Sequence, residues 1–344
     1  MNRRSFLKAA TVTVAAMPAL ATDAKPRLKI GFLGVGHSHA DGKITAVQNS
    51  GDWELVGIAD EDAKLRTKNE ARGIRILTPD ELLRAADVVA VESAVRDHFR
   101  QAKRALAAGK HVHVEKPPGT SVGEFRELVE LARKQKRLLQ MGYMWRYHPG
   151  FAKIFEAVRS GWLGEVSFVR ATINSLYDAS KPDGRRELAG FRGGAMLELG
   201  CHVIDQLVRL LGAPQKVSTT LRTHGAADTL ADNTVAVFDF PKALGIVHVN
   251  LLQPGASAHR AFEVIGSNGT ARLEPIEPPT LVVHLAQPAG LYKKGAQTIA
   301  LPKYERYVPE LADFADAIRA GRPLAVTPEE DLRVHEWVMK ACEM

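Results

Sequence analysis

Three short segments hold side chains able to handle a proton, a hydride and a phosphate. Glu115-Lys116-Pro117 follows the apolar run Val112 to Val114, and an ammonium in that place could stabilise a developing alkoxide. Glu198, His202 and Asp205 lie within Gly193 to Asp205, after a glycine-rich lead-in. Glu198 and His202 are one helical turn apart, so a regular helix puts them on one face. Imidazole titrates near neutrality, and an acid beside it fixes its tautomer and relays its proton. The third segment is Gly34-Val35-Gly36, which allows close backbone approach to a pyrophosphate at the start of a helix. The third glycine of that fingerprint is replaced: His37-Ser38-His39 stands there instead. Asp60, at the end of the next apolar run, is placed to accept hydrogen bonds from an adenosine ribose. A carboxylate there repels a 2′-phosphate, which favours NAD over NADP.

These residues need elements to position them. Leu28 to Gly34, Trp53 to Ala59, Ile74 to Leu77, Val88 to Val91, Val112 to Val114 and Leu138 to Tyr143 read as short buried strands. Amphipathic stretches at 97–108 and 123–135 read as helices between them, and this alternation implies a parallel sheet covered on both faces. After about Arg146 the pattern changes. A helix at 150–160 precedes longer strands at 166–173, 217–222, 234–240, 245–251, 261–265 and 281–285. One helix, 195–211, interrupts them, and two more follow at 309–320 and 329–342. The expectation is an α/β chain: residues 26–145 as an N-terminal Rossmann dinucleotide-binding domain, then 146–344 as an α+β domain with a large, mostly antiparallel open sheet for substrate binding and oligomerisation.

The first 25 residues stand apart. Asn2-Arg3-Arg4-Ser5-Phe6-Leu7-Lys8, a weakly apolar run and Ala19-Leu20-Ala21 read as a twin-arginine signal peptide with its cleavage site, followed by a linker. The run is too short to span a bilayer stably. The implied partner is the twin-arginine export machinery, which carries folded proteins, and the implied location is the periplasm or otherwise outside the cytoplasm. The formal charge of +7 is scattered over the chain and meets no nucleic-acid motif, so no nucleic-acid partner is expected. Two cysteines make no disulfide framework.

Taken together, Gly34-x-Gly36, Asp60, Glu115-Lys116-Pro117, the segment Gly142 to Pro149 and the segment Gly193 to Asp205 resemble the glucose–fructose oxidoreductase / inositol dehydrogenase (Gfo/Idh/MocA) family, over about residues 27 to 340. The resemblance implies that Lys116 hydrogen-bonds the reacting hydroxyl and that His202 is its general base. Glu198 would serve as relay where the family usually has Asp. Tyr143, Arg146, Tyr147 and Asp205 would meet the substrate. Gly34, Gly36, His37, His39, Asp60, Glu92, His98, Glu115 and Lys116 would hold the cofactor. Glu92-Ser93-Ala94 departs from the family's usual Thr-Pro-Asn, with His98 at the matching His. His37-x-His39 and His111-x-His113 invite a metal reading, but no carboxylate or cysteine at ligand spacing accompanies either pair, so no metal is expected.

The implied activity is oxidation of a hydroxyl on a sugar, sugar derivative or cyclitol, in a dimer or tetramer. Export adds a condition. Free NAD is scarce outside the cytoplasm, so the cofactor should be tightly retained and regenerated in each cycle. A glycoside hydrolase, lyase or epimerase working through a transient keto-sugar also satisfies that condition. A non-catalytic sugar- or nucleotide-binding protein is the third possibility.

Overall fold

In a computed structural model, residues 25–177, 182–224 and 229–344 are described; residues 1–24, where a signal peptide is expected, lie outside them. The first sheet has five parallel strands in the order β2-β1-β3-β4-β5: β1 (Leu28–Leu33), β2 (Trp53–Ala59), β3 (Val88–Val91), β4 (His111–Val114) and β5 (Leu139–Met141). They are short and rich in Val, Ile and Leu because helices cover both faces. Those helices are α1 (Ala40–Asn49), α2 (Ala63–Glu70), α3 (Pro79–Ala85), α4 (Val95–Ala107) and α5 (Val122–Gln135). The strand read at 74–77 does not form. Residues 74–77 reach the sheet only through the bridge between Ile76 and Ile58, beside Gly57.

After helix α6 (Pro149–Arg159), strand β6 (Val166–Thr172) opens the second sheet. Helices α7 (Pro182–Ala189) and α8 (Cys201–Leu211) come next. The remaining strands are β7 (Lys216–Arg222), β8 (Asn233–Asp239), β9 (Leu244–Asn250), β10 (Ala261–Gly266), β11 (Gly269–Leu273), β12 (Leu281–Leu285) and β13 (Gly295–Ile299). The eight strands run β13-β12-β11-β10-β6-β9-β8-β7 and are antiparallel except where β6 lies beside β9. One face is dry: Val169, Ala171, Ala236, Phe238, Val247 and Val249 alternate inward beneath α8. Strands β11 and β13 and helix α7 escape the sequence reading because their apolar residues are few and interrupted by Gly, Arg or Gln.

The last two helices, α9 (Val308–Ala320) and α10 (Pro328–Ala341), return to the first sheet. Phe314 meets Trp53 with ring centroids 6.3 Å apart, and His335 meets Phe125 at 5.3 Å. Both sheets and these helices share one continuous hydrophobic core. Among the described residues no helix is long and apolar enough to cross a membrane.

The expected helix at 195–211 is split. Met196–Gly200 winds as a π-helix, and only from Cys201 does α8 continue regularly. Such wide turns shift the angular position of every later residue and are frequent at functional sites.

Candidate active site and cofactor cleft

The cofactor loop leaves β1 at Gly34, whose φ of +80° suits glycine. A Cβ there would stand 2.4 Å from the Ser93 Cβ, so the loop after β3 can lie close only because this position is bare. Asp60 pins the loop: one carboxylate oxygen accepts from the Val35 N–H at 2.8 Å and the other from the Asp62 N–H at 2.8 Å. Gly36, Asp60, Ser93, Ala94, Asp97 and Gln101 line a cleft of about 560 Å³. The cleft fits the adenosine half of a dinucleotide. Gly36 leaves room for close approach, with 3.6 Å between a built Cβ and the nearest atom, and Asp60 stands on the wall where ribose hydroxyls would bind.

Several residues expected on the cofactor face elsewhere. Glu92 turns its carboxylate inward, to accept from Lys43 Nζ at 2.8 Å, and leaves Ser93 and Ala94 at the cleft. His98 is fully buried and sits between two carbonyls, Pro117 O at 2.7 Å and Ser93 O at 2.9 Å. It clamps the loop after β3 to the loop after β4. His37 accepts the His39 N–H on Nδ1, so its Nε2 carries the proton and donates to Glu198 Oε1 at 3.0 Å. His39 Nδ1 donates to Glu115 Oε2 at 3.2 Å. Burial lowers its pKa to about 4.

Lys116 is completely buried at the end of β4. Its ammonium donates to Glu198 Oε1 at 2.7 Å and to the Glu198 carbonyl at 2.8 Å. Burial alone would raise the Glu198 pKa, but Lys116 and then His37 hold that carboxyl well below the usual range. The expected pairing of Glu198 with His202 is therefore corrected. The π-helix between them changes the winding, and Glu198 is spent on Lys116 and His37. His202 has both ring nitrogens buried without a hydrogen-bond partner among the described residues. Its neighbours are Trp145, His39 and Tyr143, with ring centroids at 5.3, 5.9 and 6.2 Å. Burial first, then the charge of Lys116, pushes its pKa well down, so the imidazole is neutral with a lone pair to offer.

The expected substrate residues are tied up more than free. Arg146 donates to Asp205 from Nε at 3.1 Å and from Nη2 at 2.6 Å, and to Asp331 at 2.6 Å. Its guanidinium also stacks over the Tyr143 ring, 4.7 Å from the centroid. Tyr147 donates to Asp313 at 2.8 Å. Tyr143 remains beside His202 with its hydroxyl unpartnered among the described residues. Arg146 and Asp205 thus brace the wall behind His202, since a buried charge pair is committed to its own partners.

The sequence reading missed Lys43. It lies on the buried face of α1 with Ala40, Ile44 and Val47. Its ammonium donates to Glu115 at 2.6 Å and Glu92 at 2.8 Å, contacts His113 Nε2 at 2.8 Å, and lies 3.9 Å from Glu310. Burial pushes the Glu310 carboxyl up to about 7 and that of Glu92 well up. A lysine at an apolar position of an amphipathic helix was the available signal. His39 and Lys43 meet the same oxygen of Glu115, so this network reaches the active site through that carboxylate.

A parallel nucleotide-type sheet with an acid-walled cleft, followed by an open sheet whose helix carries His202 beside Lys116, defines a two-domain dinucleotide-binding oxidoreductase. Comparison with known proteins agrees. Residues 28–143 match the oxidoreductase family, NAD-binding Rossmann fold, and residues 151–272 match the GFO/IDH/MocA C-terminal domain. The chain belongs to the Gfo/Idh/MocA oxidoreductase family. It is 26% identical over 320 residues to myo-inositol 2-dehydrogenase of Thermotoga maritima, covering 88% of this chain and 92% of that one. It is 26% identical over 307 residues to dTDP-3,4-didehydro-2,6-dideoxy-alpha-D-glucose 3-reductase of Streptomyces violaceoruber, covering 87% of each. Among solved structures, a 3-ketoreductase from Actinomadura kijaniata in complex with TDP-benzene and NADP superposes with a TM-score of 0.76 at 20% identity, over 92% of this chain and 96% of that one. At that identity the likeness establishes the shared fold.

Proposed function

We propose that this protein is an exported, NAD-dependent oxidoreductase that oxidises one hydroxyl of a sugar, sugar derivative or cyclitol and keeps its cofactor through the cycle. The carrying observation is that Lys116, from the end of β4, docks on the segment that presents His202, so a buried cation and a neutral base stand together. Bound in the cleft, the dinucleotide supplies the hydride acceptor. His202 takes the hydroxyl proton, and the Lys116 ammonium stabilises the alkoxide as the carbinol C–H electron pair leaves. Tyr143 and Trp145 wall His202 and exclude water. Returning the hydride to a second carbonyl compound, or to the same carbon after an elimination or epimerisation, would restore the oxidised cofactor.

The sugar-like substrate class is supported by the inositol and deoxysugar enzymes among the relatives. NAD rather than NADP is supported by Asp60 on the ribose wall. Export is supported by Arg3-Arg4 with Ala19-x-Ala21. A dimer or tetramer would form on the outer face of the second sheet, where Val237 and Leu244 are exposed.

The test is to denature purified native protein and assay the supernatant for nicotinamide dinucleotide, then follow the near-ultraviolet absorbance of the bound cofactor during turnover on a panel of sugars and glycosides. Retained NAD with transient reduction is expected. Turnover without any reduction, in a setting able to resolve it, overturns the hydride chemistry. Changing Arg3 and Arg4 to Lys should hold the protein in the cytoplasm, and unchanged export of that variant ends the twin-arginine reading.

A further inference from the structure

Beside Lys116, the loop that should follow a cofactor fingerprint with a third glycine instead places two imidazoles against a buried carboxylate. His37, His39 and Glu115 each present one ligand atom, and these lie within 4.8 Å of one another. The His37 and His39 rings stand edge to face, 4.6 Å between centroids. Glu115 comes from the far end of β4, which is why no ligand spacing betrays it in the sequence. We propose that His37, His39 and Glu115 hold a divalent transition-metal ion of the zinc class, with a substrate oxygen, on the side facing His202, completing the shell.

Three observations support this. The donor set is two imidazoles and one carboxylate, the chemistry of zinc sites that keep a position open. His202 is only 2% exposed, has both nitrogens unpartnered among the described residues, and its ring centroid is 5.9 Å from that of His39. Glu115 is held rigid, with Oε1 accepting the Lys116 N–H at 3.0 Å and Oε2 accepting from Lys43. Ligands on one such ion stand roughly 3.4 Å apart at metal–ligand distances of about 2.1 Å, so modest side-chain rotation closes the site. Each neutral imidazole binds the ion through a nitrogen free of hydrogen, its one proton staying on, or shifting to, the other ring nitrogen.

The ion would polarise the oxygen at the reacting carbon and grip a neighbouring hydroxyl, which suits a vicinal polyol or its keto form. This role rests on the functional reading above; the binding site itself does not.

The experiment uses untagged full-length protein, purified from the compartment where it accumulates, freed of metal with a chelator and titrated with Co2+ and with Zn2+. One equivalent should bind, and Co2+ should give the intense visible bands of a low-coordinate nitrogen–oxygen site. His37→Gln and His39→Gln should each weaken binding by more than the roughly 10–100-fold that an outer partner is worth. Surface His259→Gln should leave it unchanged, and circular dichroism of each variant checks the fold. Failure to bind one equivalent, or equal binding by the His39→Gln and parent proteins, overturns the proposal. NAD bound without metal would leave the oxidoreductase reading standing and remove the metal. Metal bound without NAD would do the reverse.

Discussion

Lys116 Nζ lies 2.7 Å from Glu198 Oε1 and 2.8 Å from Glu198 O, so one ammonium grips both the side chain and the backbone of a residue 82 positions further along. Burial pulls the lysine pKa down, and Glu198 overrides that pull and holds it above the usual value. In Glu198→Gln the override is lost and desolvation is left unopposed. The alkaline limb of the kcat/KM profile should move to lower pH. An unmoved limb would show that Lys116 does not depend on Glu198 for its charge.

Lys116→Ala and His202→Ala should each lower kcat on the order of 10²–10⁴-fold. On the proposed roles both groups would serve one transition state, so the double variant should lose far less than the product of the two. Near-normal turnover of His202→Ala on the preferred substrate would remove it from the base role.

Asp60→Ala should weaken NAD more than NADP, measured by quenching of intrinsic fluorescence on titration. The carboxylate both repels a 2′-phosphate and holds the Val35 N–H. If the parent protein prefers NADP, the ribose assignment of Asp60 fails.

Lys43→Met removes the counterion of Glu115 and Glu92 while keeping the volume of the stem. Breaking a buried pair in this way costs about 3–5 kcal/mol, read as a lower midpoint in urea. A shift below about 1 kcal/mol would mean that the acids find compensation elsewhere.

Stability should also fall in mild acid. Burial depresses the His335 pKa from 6.5 to about 4, and its Nε2 donates to Ser121 O at 3.1 Å. Between these values the unfolded chain binds the proton and the folded chain does not. The His335 contribution is therefore complete above pH 6.5 and lost as the pH falls toward 4, by roughly 3 kcal/mol at the full shift. His335→Gln should flatten that slope in denaturation curves taken across the window, and an unchanged slope would place the effect on other histidines.

Much of this architecture was readable in the chain because periodicity reports burial directly. The strands from Leu28, Trp53 and Val88 and the helices around 97–108 and 123–135 lie where their apolar spacing puts them. What escaped needed knowledge of which distant residues meet. Glu198 and His202 look paired on a helical wheel, yet the wheel assumes uniform winding, and 196–200 are not uniform. Glu92 and His98 look like cofactor contacts by position, and their side chains turn inward. Lys43 and Glu310 are charged residues at core positions of α1 and α9, legible only to a reader who treats a charge on an apolar face as a partner in search of its opposite.

The π-helical segment Met196–Gly200 sets the rotational phase between two reacting groups. A π turn accommodates about one extra residue relative to an α turn, and each residue of an α-helix is worth about 100° of rotation. Deleting Leu199 would let the segment rewind as α-helix and swing His202 away from Lys116 without changing a single functional side chain. In this chain the placement of His202 against Lys116 is stored as a length, and one residue more or less here would alter it as surely as replacing the imidazole.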